Sequence, residues 1–309
     1  KGKQPRYMCV DGGEISYTCR DGNFEGRFSV CCSAELSGAQ AEIAVRNNEK
    51  NFKKEEIIFY FEPVLSRTEE EVSHPMYSAL FVEFRVEDGV LLCHRRKKSP
   101  DEKTLWLAVG LDGSEAFSVS RTDIISRFSE NPFDCIFDAD FNSSADGAVS
   151  PCVALKYSLA VTSGGSASVH VSLAVGESAS EALSAVKCLE KKKYGTLRKE
   201  AENYRREALR GLGIGKAQLR VFDDLCAALV CDCRANSFNV RLRAEELFRY
   251  GISDDLRRFF VCVDESTVSD GEMYISVFAF LRGLGQMCEL VIYCFEPSLY
   301  SPTVSRRLK

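Results

Sequence analysis

Hydrophobic positions between residues 6 and 175 fall in short runs, alternating with polar positions or rich in β-branched and aromatic side chains. That is the pattern of strands with one or both faces buried. Such runs are Glu14–Cys19, Gly26–Val30, Ala41–Val45, Glu56–Glu62, Leu80–Val86, Val90–His94, Leu105–Val109, Ala154–Leu159 and Ser168–Val175. Between them stand Asp11-Gly12-Gly13, Asp21-Gly22-Asn23, Asp88-Gly89, Asp112-Gly113 and Ser163-Gly164-Gly165. These residues accept the positive φ of tight hairpin turns. Many short strands with turns of this kind, and almost no helical periodicity, predict a large antiparallel β-sandwich.

The pattern changes near residue 177. Ser178 is followed three residues later by Glu181, a capping box that opens a helix. A charged stretch bearing Ala and Leu runs from Glu181 to about Arg210, with Gly195 as the expected interruption, and Gly211-Leu212-Gly213-Ile214-Gly215 ends it. Leu219, Phe222, Leu225, Cys226 and Leu229 then recur at the spacing of one helix face. Two apolar runs, Arg258–Asp264 and Glu289–Glu296, flank an amphipathic stretch over Glu272–Gly285. This is a βαβ unit, whose strands pair in parallel. The expected fold is therefore a β-rich α+β chain. A sandwich domain occupies 1–176, and linker helices with a small α/β segment occupy 177–309. Neither Lys1–Pro5 nor Ser305–Lys309 reads as a natural start or finish, and both ends are expected to be cut.

At 45% hydrophobic and 28% charged residues, the 309-residue chain has the composition of a globular protein able to bury a sizeable core. Its net charge of −5 argues against a phosphate-binding surface, so no nucleic-acid partner is expected. The basic runs Arg95-Arg96-Lys97-Lys98 and Lys191-Lys192-Lys193 are short and read as solvated faces. No apolar stretch approaches the length of a membrane span, and no membrane partner is expected. Fourteen cysteines invite a disulfide or metal reading, but they are scattered, form no C-x-x-C pair, and have three histidines for company. They read as free thiols of a cytoplasmic protein, with no metal and no cofactor.

Few motifs carry chemistry. His74 precedes Pro75, so it is expected to be extended. A general base is one role for it, but no nucleophile elbow surrounds it, and a histidine anchoring a loop fits better. Gly211-x-Gly213-x-Gly215 follows a helix and lacks the dinucleotide-binding spacing. Asp254 and Asp255 could act as a glycosidase pair, yet after Gly251-Ile252-Ser253 they fit a helix cap better. Tyr60, Phe61, Trp106 and Tyr250 could stack on sugar rings or fill the core.

Four strings follow one another at family-like intervals: Phe59–Leu65, His74–Glu83, Leu91–Glu102, and Leu247–Leu256 with Tyr250-Gly251-Ile252-Ser253 at its centre. A fifth runs from Leu281-Arg282-Gly283-Leu284-Gly285 to Glu289–Tyr293. Together they resemble the first β-sandwich, or supersandwich, and the linker of the cellobiose-phosphorylase-like glycoside hydrolase family 94, formerly glycosyltransferase family 36. The likeness is greatest to 1,2-β-oligoglucan phosphorylases and cyclic β-1,2-glucan synthases. The linker string departs from the family at Phe248, where the family has Trp, at Asp254, where it has Gly, and at Arg257, where it has Pro.

The resemblance implies an accessory fragment of a β-1,2-glucan-active glycoside phosphorylase or synthase. It would support glucan binding and domain or dimer packing, with inorganic phosphate as co-substrate of the full-length enzyme. In such enzymes the general-acid Asp and the phosphate site lie in an (α/α)6 barrel, so no catalytic residue is carried over to this chain. The implied partners are a β-1,2-linked glucan or oligosaccharide, the C-terminal barrel of the same polypeptide, and a second copy in a homodimer. The residues expected to meet sugar are His74, Arg95, Arg96, Tyr250 and Asp255. A free-standing carbohydrate-binding module is the alternative.

Overall fold

A computed structural model describes residues 6–11, 13–66, 68–125, 135–146, 150–231, 257–283, 285–296 and 302–308. The chain divides into two compact units, Lys1–Tyr204 and Arg205–Lys309.

The first unit is built on an eight-stranded antiparallel sheet. Its strands are β1 (Arg6–Asp11), β2 (Glu14–Asp21), β3 (Phe24–Cys32), β4 (Gly38–Asn47), β6 (Val82–Glu87), β7 (Val90–Arg95), β8 (Trp106–Gly110) and β11 (Ser166–Gly176), in the order β1-β2-β3-β4-β11-β8-β7-β6. A second sheet, β5-β10-β9, contains β5 (Lys53–Phe61), β9 (Ala116–Ser120) and β10 (Pro151–Val161). The two sheets face each other across a core in which Leu91, Val109 and Val171 of the large sheet meet Phe117, Val153 and Leu155 of the small one. This is the expected sandwich, and each of the nine expected runs forms a strand. β1 and β9 are additional.

Both sheets are covered on their outer faces as well. Behind the large sheet lie α4 (Ala179–Glu190) and the first half of α5 (Tyr194–Gly211). Ala182, Val186, Leu189 and Leu197 of these helices pack on Val90, Leu92 and Ala108. Outside the small sheet, Ile124, Ile125 and Ile136 pack on Cys152 and Ala154. Alternate side chains point to opposite faces of a strand, so β7 sends Leu91 into the sandwich and Leu92 under the helices. Its unbroken apolar run Val90-Leu91-Leu92-Cys93 follows from burial on both sides.

Close approach of α4 to the sheet depends on small residues. A Cβ on Gly38 would lie 2.5 Å from the Leu173 carbonyl oxygen and 2.7 Å from Leu189 Cδ1. The helix opens as its sequence predicts: the Ser178 hydroxyl accepts from the Glu181 amide at 3.2 Å, and the Glu181 carboxylate accepts from the Glu177 amide at 2.9 Å. The helix pair breaks at Lys191–Lys193, and Gly195 lies inside the first turn of α5. Because α4 and the first half of α5 complete the core, the compact unit extends to Tyr204 rather than ending near 176.

Two expected hairpins have another role. Asp88 and Gly89, with φ of 50° and 75°, do join paired neighbours β6 and β7. The turns at Asp112-Gly113 and Ser163-Gly164-Gly165 carry the chain between the two sheets, from β8 to β9 and from β10 to β11. The region also contains helix: α1 (Thr68–Ser73), α2 (Pro75–Ala79) and α3 (Arg121–Ile124). Each is about one turn long, too short for hydrophobic periodicity to register.

In the second unit, α6 (Lys216–Cys231) follows a glycine break in which Gly213 takes φ 70° and the Ile214 amide donates to the Leu209 carbonyl at 3.0 Å. That bond closes a helix C-terminus. β12 (Arg257–Val263), α7 (Val268–Gly283) and β13 (Cys288–Cys294) form the expected parallel βαβ unit, from Arg257 opposite Cys288 to Val263 opposite Cys294. Helix α8 (Val304–Arg307) seats Val304 beside Val263 and Val268. No described helix is long and apolar enough to cross a membrane.

Candidate functional site

The strings that carry chemistry converge on one corner of the first unit, where β6, β7 and β8 meet α1 and α2. Arg95 ends β7. It belongs to a basic run expected to be solvated, yet it is 3% exposed. The reason is charge pairing: it reaches Glu70 of α1 at 3.3 Å and Glu102 at 3.0 Å, and its guanidinium lies 5.9 Å from the Phe81 ring. A guanidinium can be buried where carboxylates and a ring face take the place of water. The backbone amide of Lys98, followed by the Arg95 and Lys98 charges, holds the Glu102 carboxyl below the usual carboxylate range.

Arg96 points the other way and is exposed. Its amide donates to the Phe81 carbonyl at 2.7 Å, its guanidinium stands 5.3 Å from the same ring, and Glu83 lies 3.8 Å away. Tyr77 meets Phe81 edge-on at 5.0 Å. Phe81 is therefore the hub between the His74–Glu83 string and the basic run.

His74 has φ −148° and ψ 66°, non-helical but short of the extended conformation expected before proline, and it precedes α2 as its cap. It works through its backbone. Its amide donates to Glu70 at 2.9 Å, and its carbonyl accepts from Tyr77 and Ser78, both at 3.1 Å. Glu70 thus ties His74 and Arg95 into one assembly, while the His74 imidazole is exposed. Tyr250 and Asp255, together with the linker string from Leu247 to Leu256, lie outside the described residues.

Trp106, which the sequence marks for sugar stacking or the core, gathers a second group here that no local pattern joins. His94 stacks on Trp106 with ring centroids 4.0 Å apart at 12°, and Arg85 lies 4.8 Å from the same indole. Glu83 is 3.5 Å from His94. Burial pushes the His94 pKa below that of an ordinary histidine, with Arg85 acting in the same sense and Glu83 opposing it.

Beside this corner a cleft of about 280 Å³ opens between the strand-exit loop Glu62–Ser66, helix α2, Arg121 and Ser150-Pro151. Glu62 Oε1 accepts from the Tyr60 hydroxyl at 2.6 Å and from Arg121 Nε at 2.9 Å. Burial, and then the bond to Glu62, keeps the Tyr60 phenol protonated far above its ordinary range. On the same wall Ser66 donates to Glu71 at 3.2 Å. Glu62 lies in a string the sequence had marked, but Arg121 is 59 residues away and no spacing could have joined them. A larger hollow of about 440 Å³ in the second unit lies between Ile275, Phe278 and Arg282 of α7 and residues Cys288 to Ile292 of β13.

A family model described as the glycosyl hydrolase 94 supersandwich domain matches residues 3–192, more than half of the chain. The chain belongs to this family. The matched stretch contains the whole sandwich, helix α4, the corner and the cleft. Among solved structures, the supersandwich chain is similar to a protein assigned as a kojibiose phosphorylase from human microbiome, at 8% identity and TM-score 0.41, over 63% of this chain and 23% of that one. It is also similar to a bacterial glucoamylase solved with acarbose, at 9% identity and TM-score 0.44, over 66% and 28%. A polysaccharide lyase aligns at 14% identity and TM-score 0.35, over 58% and 24%. The chain thus spans about a quarter of the length of these proteins. No curated protein sequence matches it.

The cysteines of this supersandwich chain whose side chains are described are free thiols. Burial pushes Cys31 up to about 11, and Cys93 and Cys152 up to about 12. These three are inert apolar side chains at neutral pH, since the thiolate is the reactive form. Cys262, expected within an apolar run, is exposed. Among the described residues, no group of three His, Cys, Asp or Glu side chains could hold a metal ion.

Proposed function

We propose that this supersandwich chain is the accessory part of a β-1,2-glucan-active glycoside phosphorylase or synthase. It supports glucan binding and domain or dimer packing and performs no chemistry by itself. The observation that carries the reading is the family match over residues 3–192. The assembly of His74, Arg95 and Arg96 around Phe81 supports it. Exposed Arg96, Tyr77 and the His74 imidazole form a polar and aromatic rim of the kind that meets sugar hydroxyls and ring faces. Buried Arg95 keeps that rim in place and does not itself meet ligand. Tyr250 and Asp255 extend the same reading into the linker.

A catalytic (α/α)6 barrel of the same polypeptide supplies the reaction, with inorganic phosphate as co-substrate and no resident metal or cofactor. The test is phosphorolysis of β-1,2-oligoglucans, and its reverse with glucose 1-phosphate. The expected result is no turnover by the 309-residue chain and turnover once the downstream barrel of the same polypeptide is joined to it. Turnover by this chain alone would place the active site here and overturn the reading.

A further inference from the structure

The cleft at Glu62 has the features of a built site. Separate parts of the chain form it: the exit of β5, helix α2, Arg121, and the Ser150-Pro151 segment. Its apolar walls include Met76 and the short or rigid side chains Pro63, Pro75, Val82 and Pro151, which lose little freedom on contact. Its polar groups converge. Among the described residues both donors to Glu62 go to Oε1, so Oε2 keeps its lone pairs for further donors. The Glu62 side chain is 50% exposed and Arg121 33%, so a ligand can reach both.

Two carboxylates, Glu62 and Glu71, stand against one guanidinium, so the local charge repels phosphates and other anions. A volume of about 280 Å³ equals about nine waters at ~30 Å³ each, and so suits a small ligand rather than a long chain.

We propose that this cleft binds one neutral pyranose unit of a glucan, with Glu62 accepting its hydroxyl hydrogens and the proline and aliphatic walls meeting its C–H faces. The choice of sugar among neutral polyols rests on the carbohydrate reading given above, but the site is separate from the Arg96 rim. Hydrogen bonds from neutral donors to a fixed carboxylate are charge-assisted and roughly twice as strong as neutral ones.

The chain has four methionines, Met8, Met76, Met273 and Met287, and Met76 lines the cleft while 64% exposed. Methyl-labelled methionine spectra therefore report on the cleft directly. The β-1,2-linked glucose disaccharide is titrated into the full chain, with heat measured in parallel. The expected result is a saturable shift of the Met76 methyl with the other three unmoved. Glu62→Gln, at a half-exposed position that folding tolerates, should weaken binding about tenfold or more. Saturable heat with Met76 unmoved, or with Glu62→Gln unaffected, places the sugar elsewhere and overturns the cleft while leaving the carbohydrate reading intact. Neither heat nor any methyl shift, with glucose as well as the disaccharide, overturns both.

Discussion

At the scale of single residues, the informative side chains are those whose surroundings disagree with their local sequence. Arg95 sits in a run of four basic residues, yet it is buried because Glu70 and Glu102 come to it from either side. Removing Arg95 would leave Glu102 without its guanidinium partner, whereas removing either carboxylate still leaves Arg95 the other one. His94 is the pH-sensitive member of the corner. Burial holds its folded-state pKa below the ordinary value. Under that condition the unfolded chain binds the proton more readily, and stability rises with pH. The stabilisation is complete above about pH 6.5 and is lost as pH falls through the lower folded-state value. Trp106, the sole tryptophan, stacks directly on His94. An imidazolium in that position quenches indole emission. Trp106 fluorescence should fall on acidification with a midpoint below 6.5, and His94→Gln should abolish the transition. A midpoint at or above 6.5 would contradict the assigned environment.

At the scale of elements, the seam between α4 and the large sheet sets the tolerance to substitution. Gly38 and Gly195 are both glycines, but they face different surroundings. Gly38 lies where an added methyl meets backbone and a buried leucine, and the backbone cannot give way. Gly38→Ala should destabilise by about 1–3 kcal/mol through overpacking. Gly195 is in the first turn of α5 with nothing within 4 Å of a built Cβ. There Gly195→Ala should stabilise by about 0.5–1 kcal/mol, because glycine loses more backbone entropy in a helix than alanine does. Urea unfolding of both variants checks the opposite signs, and equal effects would mean that helix packing does not control the difference. The strands were legible because apolar residues recur at the right spacing in strings such as Gly26–Val30 and Ser168–Val175. The short helices α1, α2 and α3 were not, since one turn sets no period.

At the scale of the whole molecule, the first unit is layered as helices, large sheet, small sheet and an outer segment, and no layer is optional. A chain cut at Gly176 would keep all eleven strands of the sandwich but expose Val90, Leu92, Ala108 and Ala174, which are otherwise buried under α4 and α5. A fragment ending at Gly176 should aggregate or unfold without a cooperative transition, whereas one ending at Gly211 should unfold cooperatively. Circular dichroism melts of the two fragments check this. A cooperative melt of the shorter one would show that the sandwich core suffices and that the helices are a separate layer.

The sequence by itself determined the strand-rich first half, the helical change after residue 177, the capping box at Ser178 and the parallel βαβ unit. Each of these depends on interactions within a few residues or on a repeating spacing. The tertiary structure alone decided which turns are hairpins and which cross between sheets, because Asp88-Gly89 and Asp112-Gly113 have the same local chemistry. It alone decided that Arg95 is buried, that Phe81 gathers Tyr77, Arg95 and Arg96, and that Arg121 reaches Glu62 from 59 residues away. Contacts over such distances arise from the order in which strands pair. That order is set by the packing of whole faces, which no short window of sequence contains.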